Sequence, residues 1–246
     1  MKYAVELNRA RAGMTGEDWK TEFTLSVSPG EFVALVGPGR SGKGLLLKLC
    51  AGLVAPEEGT VRVLDHDLAA LDSEQLTELR QRIGVVLQQP GLRSNMTLYT
   101  NVTLPMVYHQ GVDEATLLPK VLPLLDALGL TPLQKLFPSQ LTLGEARCAA
   151  LARALVMNPE LLLLDEPMGG LDAEMAQRVD RVLAEYRRTR TVTILASMHN
   201  PSVLLECANR IAFVRQGRIE AVGPYADMAK MPDIALQAYL GSRSVA

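Results

Sequence analysis

Cysteine, aromatic residues and surplus charge are all scarce in this chain of 246 residues. The three cysteines, Cys50, Cys148 and Cys207, are odd in number and widely separated. Neither a disulfide framework nor a cysteine-based zinc site is supported, and reduced thiols in apolar helical stretches are the simpler reading. A formal net charge of −2 offers none of the basic surplus with which a dedicated nucleic-acid binder neutralises phosphates, so no DNA or RNA partner is expected. No run reaches the roughly 18 to 20 apolar residues that span a bilayer, and the opening MKYAVELNRARAG lacks the apolar core of a signal peptide. The chain is therefore expected in the cytosol, reaching membranes only through a partner. What is present is an ordinary globular balance, 48% hydrophobic and 21% charged, on a chain long enough to bury a large α/β core.

Short β-type runs occur as TEFTLSV, EFVALVG, GTVRVL, IGVVLQ, ELLLLDEP and TVTILAS, with helical patterns between several of them. That alternation predicts a mostly parallel sheet with helices packed on it, the P-loop NTPase type of architecture. The opening segment from Tyr3 to Val27 and the closing runs Arg210–Val214 and Arg218–Val222, joined at Gln216-Gly217, read as antiparallel strands of an added edge sheet. Between about Pro90 and Val156 strand signals vanish and LLPKVLPLLDALGL and LGEARCAALARALVM show helical periodicity, which predicts an inserted helical subdomain. The expected organisation is thus one domain over 1–246. Residues 1–89 and 157–223 form the core with its antiparallel sheet, 90–156 the helical subdomain, and 224–246 a helical tail.

Gly37, Pro38, Gly39, Arg40, Ser41, Gly42 and Lys43 follow the strand EFVALV and precede the helical run that takes in Gly44 and Leu45. A glycine-rich turn between strand and helix points successive backbone N–H groups and a helix N-terminus at one anion, and Lys43 would reach the β- and γ-phosphates. The apolar strand LLLL ends in Asp165 and Glu166. A carboxylate pair at such a strand end suits a metal and a water: Asp165 would hold Mg²⁺ directly or through water, and Glu166 would polarise the attacking water as general base.

Further motifs make the chain similar to ATP-binding cassette (ABC) transporter ATPases over nearly its whole length. Gln88, closing IGVVLQ, resembles the glutamine that in that family touches Mg²⁺ or water and links the core to the helical subdomain. Leu141, Thr142, Leu143, Gly144 and Glu145 stand where the family has its LSGGQ signature. Gly169, Gly170, Leu171 and Asp172 resemble the loop after the carboxylate pair, and His199 resembles the switch histidine that contacts the γ-phosphate. The resemblance implies ATP and Mg²⁺ as ligands, with the nucleotide on residues 37–45 of one subunit and covered by residues 141–145 of a second subunit, expected to be an identical copy. It also implies a transmembrane permease partner that holds this chain at the cytoplasmic face of the inner membrane.

Several positions depart from the family pattern. Gly44 stands where Ser or Thr binds Mg²⁺, and loss of one preorganised contact of this kind costs on the order of 2 to 4 kcal/mol in the transition state. Arg40 stands where a glycine is usual, which implies loop strain, a phosphate contact or a solvent-facing side chain. Leu143 replaces the first signature glycine. The family's adenine-stacking aromatic should fall near Ala12, and the neighbouring Trp19 is displaced toward the next strand. Two functions stay open: an atypical ATPase motor, and a nucleotide-binding cassette that dimerises and gates a transporter while hydrolysing little. The stretch PGLRSNMTLYTNVTLPMVYH and the ending KMPDIALQAYLG resemble the Mla and Mce-associated lipid-transport ATPases, which implies a phospholipid cargo in a bacterial envelope. That ending either reaches a neighbouring ATPase or docks on its own domain.

Overall fold

The computed structural model describes residues 2–13, 20–199 and 203–240. In chain order its strands and helices begin with β1 (Val5–Arg11), β2 (Phe23–Val27), β3 (Phe32–Val36), α1 (Lys43–Cys50), β4 (Glu58–Val63), β5 (His66–Asp67), α2 (Ser73–Gln81) and β6 (Ile83–Val86). They continue with α3 (Leu98–Gln110), α4 (Glu114–Ala127), α5 (Leu143–Leu155), β7 (Leu161–Asp165), α6 (Ala173–Thr189) and β8 (Thr193–Met198). The last elements are α7 (Val203–Glu206), β9 (Arg210–Arg215), β10 (Arg218–Gly223), α8 (Tyr225–Met228) and α9 (Ile234–Leu240). Two units divide the chain: residues 1–76, 163–166 and 193–246 form the first, and residues 77–162 and 167–192 the second. The second is wider than the 90–156 segment expected from helical periodicity, because α6 and the end of α2 go with it.

In the first unit the larger sheet runs β10-β9-β3-β8-β7. Strands β3 and β8 are buried along their whole length, which requires apolar residues on both faces and explains why they read as continuous hydrophobic runs. They pair in parallel, Val33 opposite Leu195 and Val36 opposite Met198, and β3 pairs in parallel with β9 on its other side. The closing hairpin therefore extends this sheet and is not part of an edge sheet, a correction to the sequence reading. Ile211, Ala212, Phe213 and Val214 are all buried, so β9 needs cover that an edge cannot give. Strand β10 is antiparallel to β9.

The antiparallel sheet instead runs β2-β1-β4-β5. GTVRVL, read among the parallel runs, lies in it as β4, with Val61 opposite Leu7 and Val63 opposite Val5. Its Val61 and Val63 are buried while Thr60 and Arg62 are exposed, the signature of a one-sided sheet. The N–H of Ala12, after β1, donates to Thr21 Oγ1 and its carbonyl accepts the Thr21 hydroxyl, so the position expected to lack an aromatic is buried backbone. Trp19 lies outside the described residues.

The second unit holds α3, α4, α5 and α6. In α4 the buried residues Leu117, Val121 and Leu125 recur every four positions, while Pro119 and Pro123 lie on the exposed side. An interior proline costs about 3 kcal/mol. Here both prolines are exposed, and each buried leucine contributes about 1.5–3 kcal/mol. Fully buried Asn101 on α3 ties the preceding loop to the helix: its Nδ2 donates to the carbonyls of Arg93, Met96 and Thr97, and its Oδ1 accepts the Arg93 N–H.

In the tail, α9 docks on its own unit. Leu236 and Leu240 are buried, Tyr225 Oη donates to the Leu240 carbonyl at 2.8 Å, and Arg215 reaches Asp233 at 3.3 Å. Of the two readings of the ending, docking is the arrangement seen.

Candidate functional site

The turn from Gly37 to Gly42 is shaped by what a side chain would strike. Gly37 has φ 147°, and a Cβ there would stand 2.0 Å from the Val214 carbonyl; Gly42 has φ 104° and would press a Cβ against Phe23. Between them Arg40 takes φ 61° with its side chain exposed, so the strain expected from replacing a glycine at that position is present in the backbone. The Gly217 N–H donates to the Ser41 carbonyl, fastening the turn to the β9–β10 hairpin.

Lys43, the first residue of α1, is buried and folded back into this turn. Its Nζ donates to the carbonyls of Gly37 at 2.6 Å and Pro38 at 2.8 Å, with Ser41 Oγ at 3.4 Å. Burial depresses the ammonium to a pKa of about 8, against the opposing pull of the carboxylates of Glu166 and Asp165. Gly44 follows, and a Cβ built on it would be 3.0 Å from Asp165 Oδ2.

Asp165 ends β7, and Glu166 after it takes φ 53°. Ser197 on β8 joins the two: its hydroxyl donates to Asp165 Oδ1 at 2.5 Å and accepts the Glu166 N–H at 3.0 Å. His199, just past β8, places Nε2 at 2.5 Å from Glu166 Oε1. The first unit thus gathers a buried ammonium, two carboxylates, a hydroxyl and an imidazole at the carboxyl ends of β3, β7 and β8, where ligands bind open α/β sheets. Among the described residues no group of three or more His, Cys, Asp or Glu is arranged as a metal cage. A strand-end carboxylate beside a phosphate-type turn does fit Mg²⁺, which is commonly bound through one or two carboxylates together with a nucleotide's phosphates.

The remaining residues singled out in the sequence belong to the second unit. Thr142 caps α5, its Oγ1 accepting the Glu145 N–H while Glu145 accepts the Thr142 N–H. Leu143 is 53% exposed, whereas Gly144 is buried, and a Cβ on Gly144 would meet Met175 Sδ at 2.8 Å and the Gly170 carbonyl at 3.1 Å. Asp172 caps α6, accepting the Met175 N–H at 2.8 Å. Gln88 lies two residues beyond the end of β6 and is exposed; its carbonyl accepts from Arg147 Nη2 at 3.2 Å. The same guanidinium donates to the Gly169 carbonyl, and Arg153 one face further along α5 donates to the carbonyls of Pro90 and Gly91.

A family profile described as ABC transporter matches residues 21–169, the span that holds the glycine turn, the buried lysine, the capped α5 and the carboxylate pair. The chain belongs to the ABC transporter family. It is 33% identical over 213 residues to the methionine import ATP-binding protein MetN of Cereibacter sphaeroides, covering 87% of this chain and 60% of that protein. It is 35% identical over 216 residues to the sulfate/thiosulfate import ATP-binding protein CysA 1 of Agrobacterium fabrum, covering 86% and 61%. The chain spans about three fifths of the length of these curated relatives. Among solved structures, a dimeric post-hydrolysis state of the ATP-binding cassette MJ0796 bound to ADP and Pi superposes with a TM-score of 0.82 at 26% identity, covering 89% of this chain and 98% of that one. The ABC ATPase fold expected from the motifs is thereby shown. The lipid-transport affiliation gains no support, since these relatives are named for import of methionine and of sulfate or thiosulfate.

Ser197 and Arg147 were missed in the sequence. Ser197 and Thr193 are the two buried hydroxyls of an otherwise apolar strand, and a buried polar group needs a partner, which is the signal that could have found Ser197. Arg147 is one of two arginines on α5, with Arg153, and nothing local sets it apart.

Proposed function

We propose that the chain binds ATP with Mg²⁺ and hydrolyses it as the nucleotide-binding subunit of an ABC transporter. The observation that carries this is Lys43 held inside the Gly37–Gly42 turn beside Asp165 and Glu166. In this reading the phosphates displace the turn carbonyls from the Lys43 ammonium, Asp165 and Gln88 serve the metal, Glu166 takes a proton from the attacking water, and His199 turns from Glu166 to the γ-phosphate. Mg²⁺, when bound, would neutralise charge on the phosphate oxygens. Residues 37–45 hold the nucleotide, and Leu141–Glu145 with Asp172 of a second copy cover it.

Among the described residues no helix is long and apolar enough to cross a membrane. In this proposal the chain sits at the cytoplasmic face of the inner membrane on a transmembrane permease, through which transport runs. The phospholipid cargo rests on the likeness of residues 90–109 and 230–241 alone, and identification of the co-purified permease decides it. A second reading, a cassette that closes on ATP but hydrolyses little, is favoured by Gly44, which removes a metal-binding hydroxyl. In both readings ATP pairs two copies, so light scattering of Glu166→Gln is expected to show a shift from one copy to two on adding ATP, and none on adding ADP. A mass unchanged by ATP, with and without the permease, counts against the sandwich.

The Lys43 ammonium gives the binding a defined pH dependence. Its pKa of about 8 in the nucleotide-free protein rises when a triphosphate sits against it. Below about pH 8 both states carry the proton and this group leaves affinity flat. Above it the free protein must take up a proton to bind, and affinity falls about tenfold per pH unit until the bound-state pKa is reached. Calorimetry at pH 9 in buffers of different ionisation enthalpy is expected to show uptake of close to one proton per ATP; no uptake contradicts the assignment of Lys43 to the phosphates.

A further inference from the structure

Asp165 is held from one side and approached from the other. Its Oδ1 accepts the Ser197 hydroxyl at 2.5 Å, while its Oδ2 stands 3.0 Å from where a Cβ on Gly44 would begin. In the P-loop pattern the residue after the lysine carries a hydroxyl that binds Mg²⁺. Here that side chain is absent, and the carboxylate of β7 comes up to the start of α1 in the space it would fill. Any side chain at position 44 would meet this carboxylate where Ser197 now keeps it.

Ser197 is fully buried, and its one proton and one of its two lone pairs are used, since it donates to Asp165 and accepts the Glu166 N–H. Glu166 has φ 53°, a conformation that a non-glycine residue keeps only when its surroundings hold it. One hydroxyl therefore anchors both members of the carboxylate pair from the neighbouring strand.

We propose that Ser197 is a positioning residue that fixes Asp165 against Gly44, so that the carboxylate offers a divalent cation the oxygen which position 44 cannot. The hydroxyl that would act directly from α1 is replaced by one that acts through Asp165 from β8. This rests on the reading of the site as one for ATP and Mg²⁺.

The test is the ratio of trinitrophenyl-ATP affinities with and without Mg²⁺, measured by fluorescence. Ser197→Ala removes a hydrogen bond to a charged group and is expected to lower that ratio about tenfold, whereas Ser197→Thr, which keeps the hydroxyl, stays within about threefold of the unaltered protein. A general loosening of the core weakens both affinities alike and leaves the ratio in place. Gly44→Ala provides a route that leaves β8 untouched should Ser197→Ala not fold: its methyl displaces the same carboxylate and lowers the ratio likewise. Gly44→Ser is expected to lower the ratio in the unaltered protein but to raise it in the Ser197→Ala background, where Asp165 is released and the new hydroxyl can reach the cation. An unchanged ratio in Ser197→Ala or in Gly44→Ala, or the same effect of Gly44→Ser in both backgrounds, overturns the proposal. If the unaltered chain binds no trinitrophenyl-ATP at all, it is the nucleotide reading that fails; if it binds with a metal-dependent affinity that these variants leave alone, only the role of Ser197 fails.

Discussion

Lys43→Ala weakens ATP binding about a hundredfold or more. The ammonium sits in the turn with two carbonyls as its close acceptors, and at both ends of the turn Gly37 and Gly42 occupy conformations and spaces that admit no side chain. Truncating one partner of a buried charge pair typically costs 2 to 5 kcal/mol, about 30-fold to several thousandfold in affinity. Part of that cost arises because the phosphates then meet a cluster of carboxylates, Asp165 and Glu166, with no buried cation between. Calorimetry at pH 7 with ATP and Mg²⁺ checks it, and a loss smaller than threefold contradicts the placing of the triphosphate in this turn. Substitution by arginine is not expected to rescue binding, because a guanidinium is too large for a fully enclosed position and spreads its charge over a plane.

Glu166→Gln lowers the rate of phosphate release by a factor of about 10² to 10⁴ while ATP stays bound, the range by which a positioned general base accelerates proton transfer. The amide has nearly the shape of the carboxylate, so the approach of His199 survives, and the backbone N–H that donates to Ser197 is untouched, but the amide cannot accept a proton. His199 is part of the same effect. With its Nε2 at 2.5 Å from the carboxylate, the imidazole engages the base in the nucleotide-free protein and must turn away for Glu166 to meet water. The variant is thus expected to hold ATP for many times the turnover of the unaltered protein, read as nucleotide retained after rapid desalting. Equal rates in the two proteins would mean that the phosphate comes from elsewhere.

The glycine turn, the carboxylate pair and His199 were legible because each is a short segment whose neighbours in sequence are its neighbours in space. A strand, a turn and a helix start suffice to aim Lys43, and a buried strand suffices to expose Asp165 and Glu166 at its end. Strand partners were less legible. The runs GTVRVL and RIAFVR both look like strands, yet one lies in the antiparallel sheet and the other beside β3, a choice made by which faces can be covered once the chain is folded. Position Gly144 looked like a contact for nucleotide and is, within its own unit, also the close approach that lets α5 lie against Gly170 and Met175. Among the departures from the family pattern, Arg40 adopts the left-handed backbone expected of a position that favours glycine, and Leu143 stands exposed at the first turn of α5. Gly44 proved different in kind: the missing hydroxyl could be read from the sequence, but the carboxylate that stands in its space could not, because Ser197 lies more than 150 residues further along the chain.

The most direct measurement is a single turnover, with protein in excess over ATP and Mg²⁺ present, quenched and assayed for ADP. A hydrolysing cassette converts the bound ATP to ADP and phosphate in full, and Glu166→Gln leaves it intact over the same interval. ATP that binds, depends on Lys43 and yet is recovered uncleaved from the unaltered protein, with and without its permease, contradicts hydrolysis at this site.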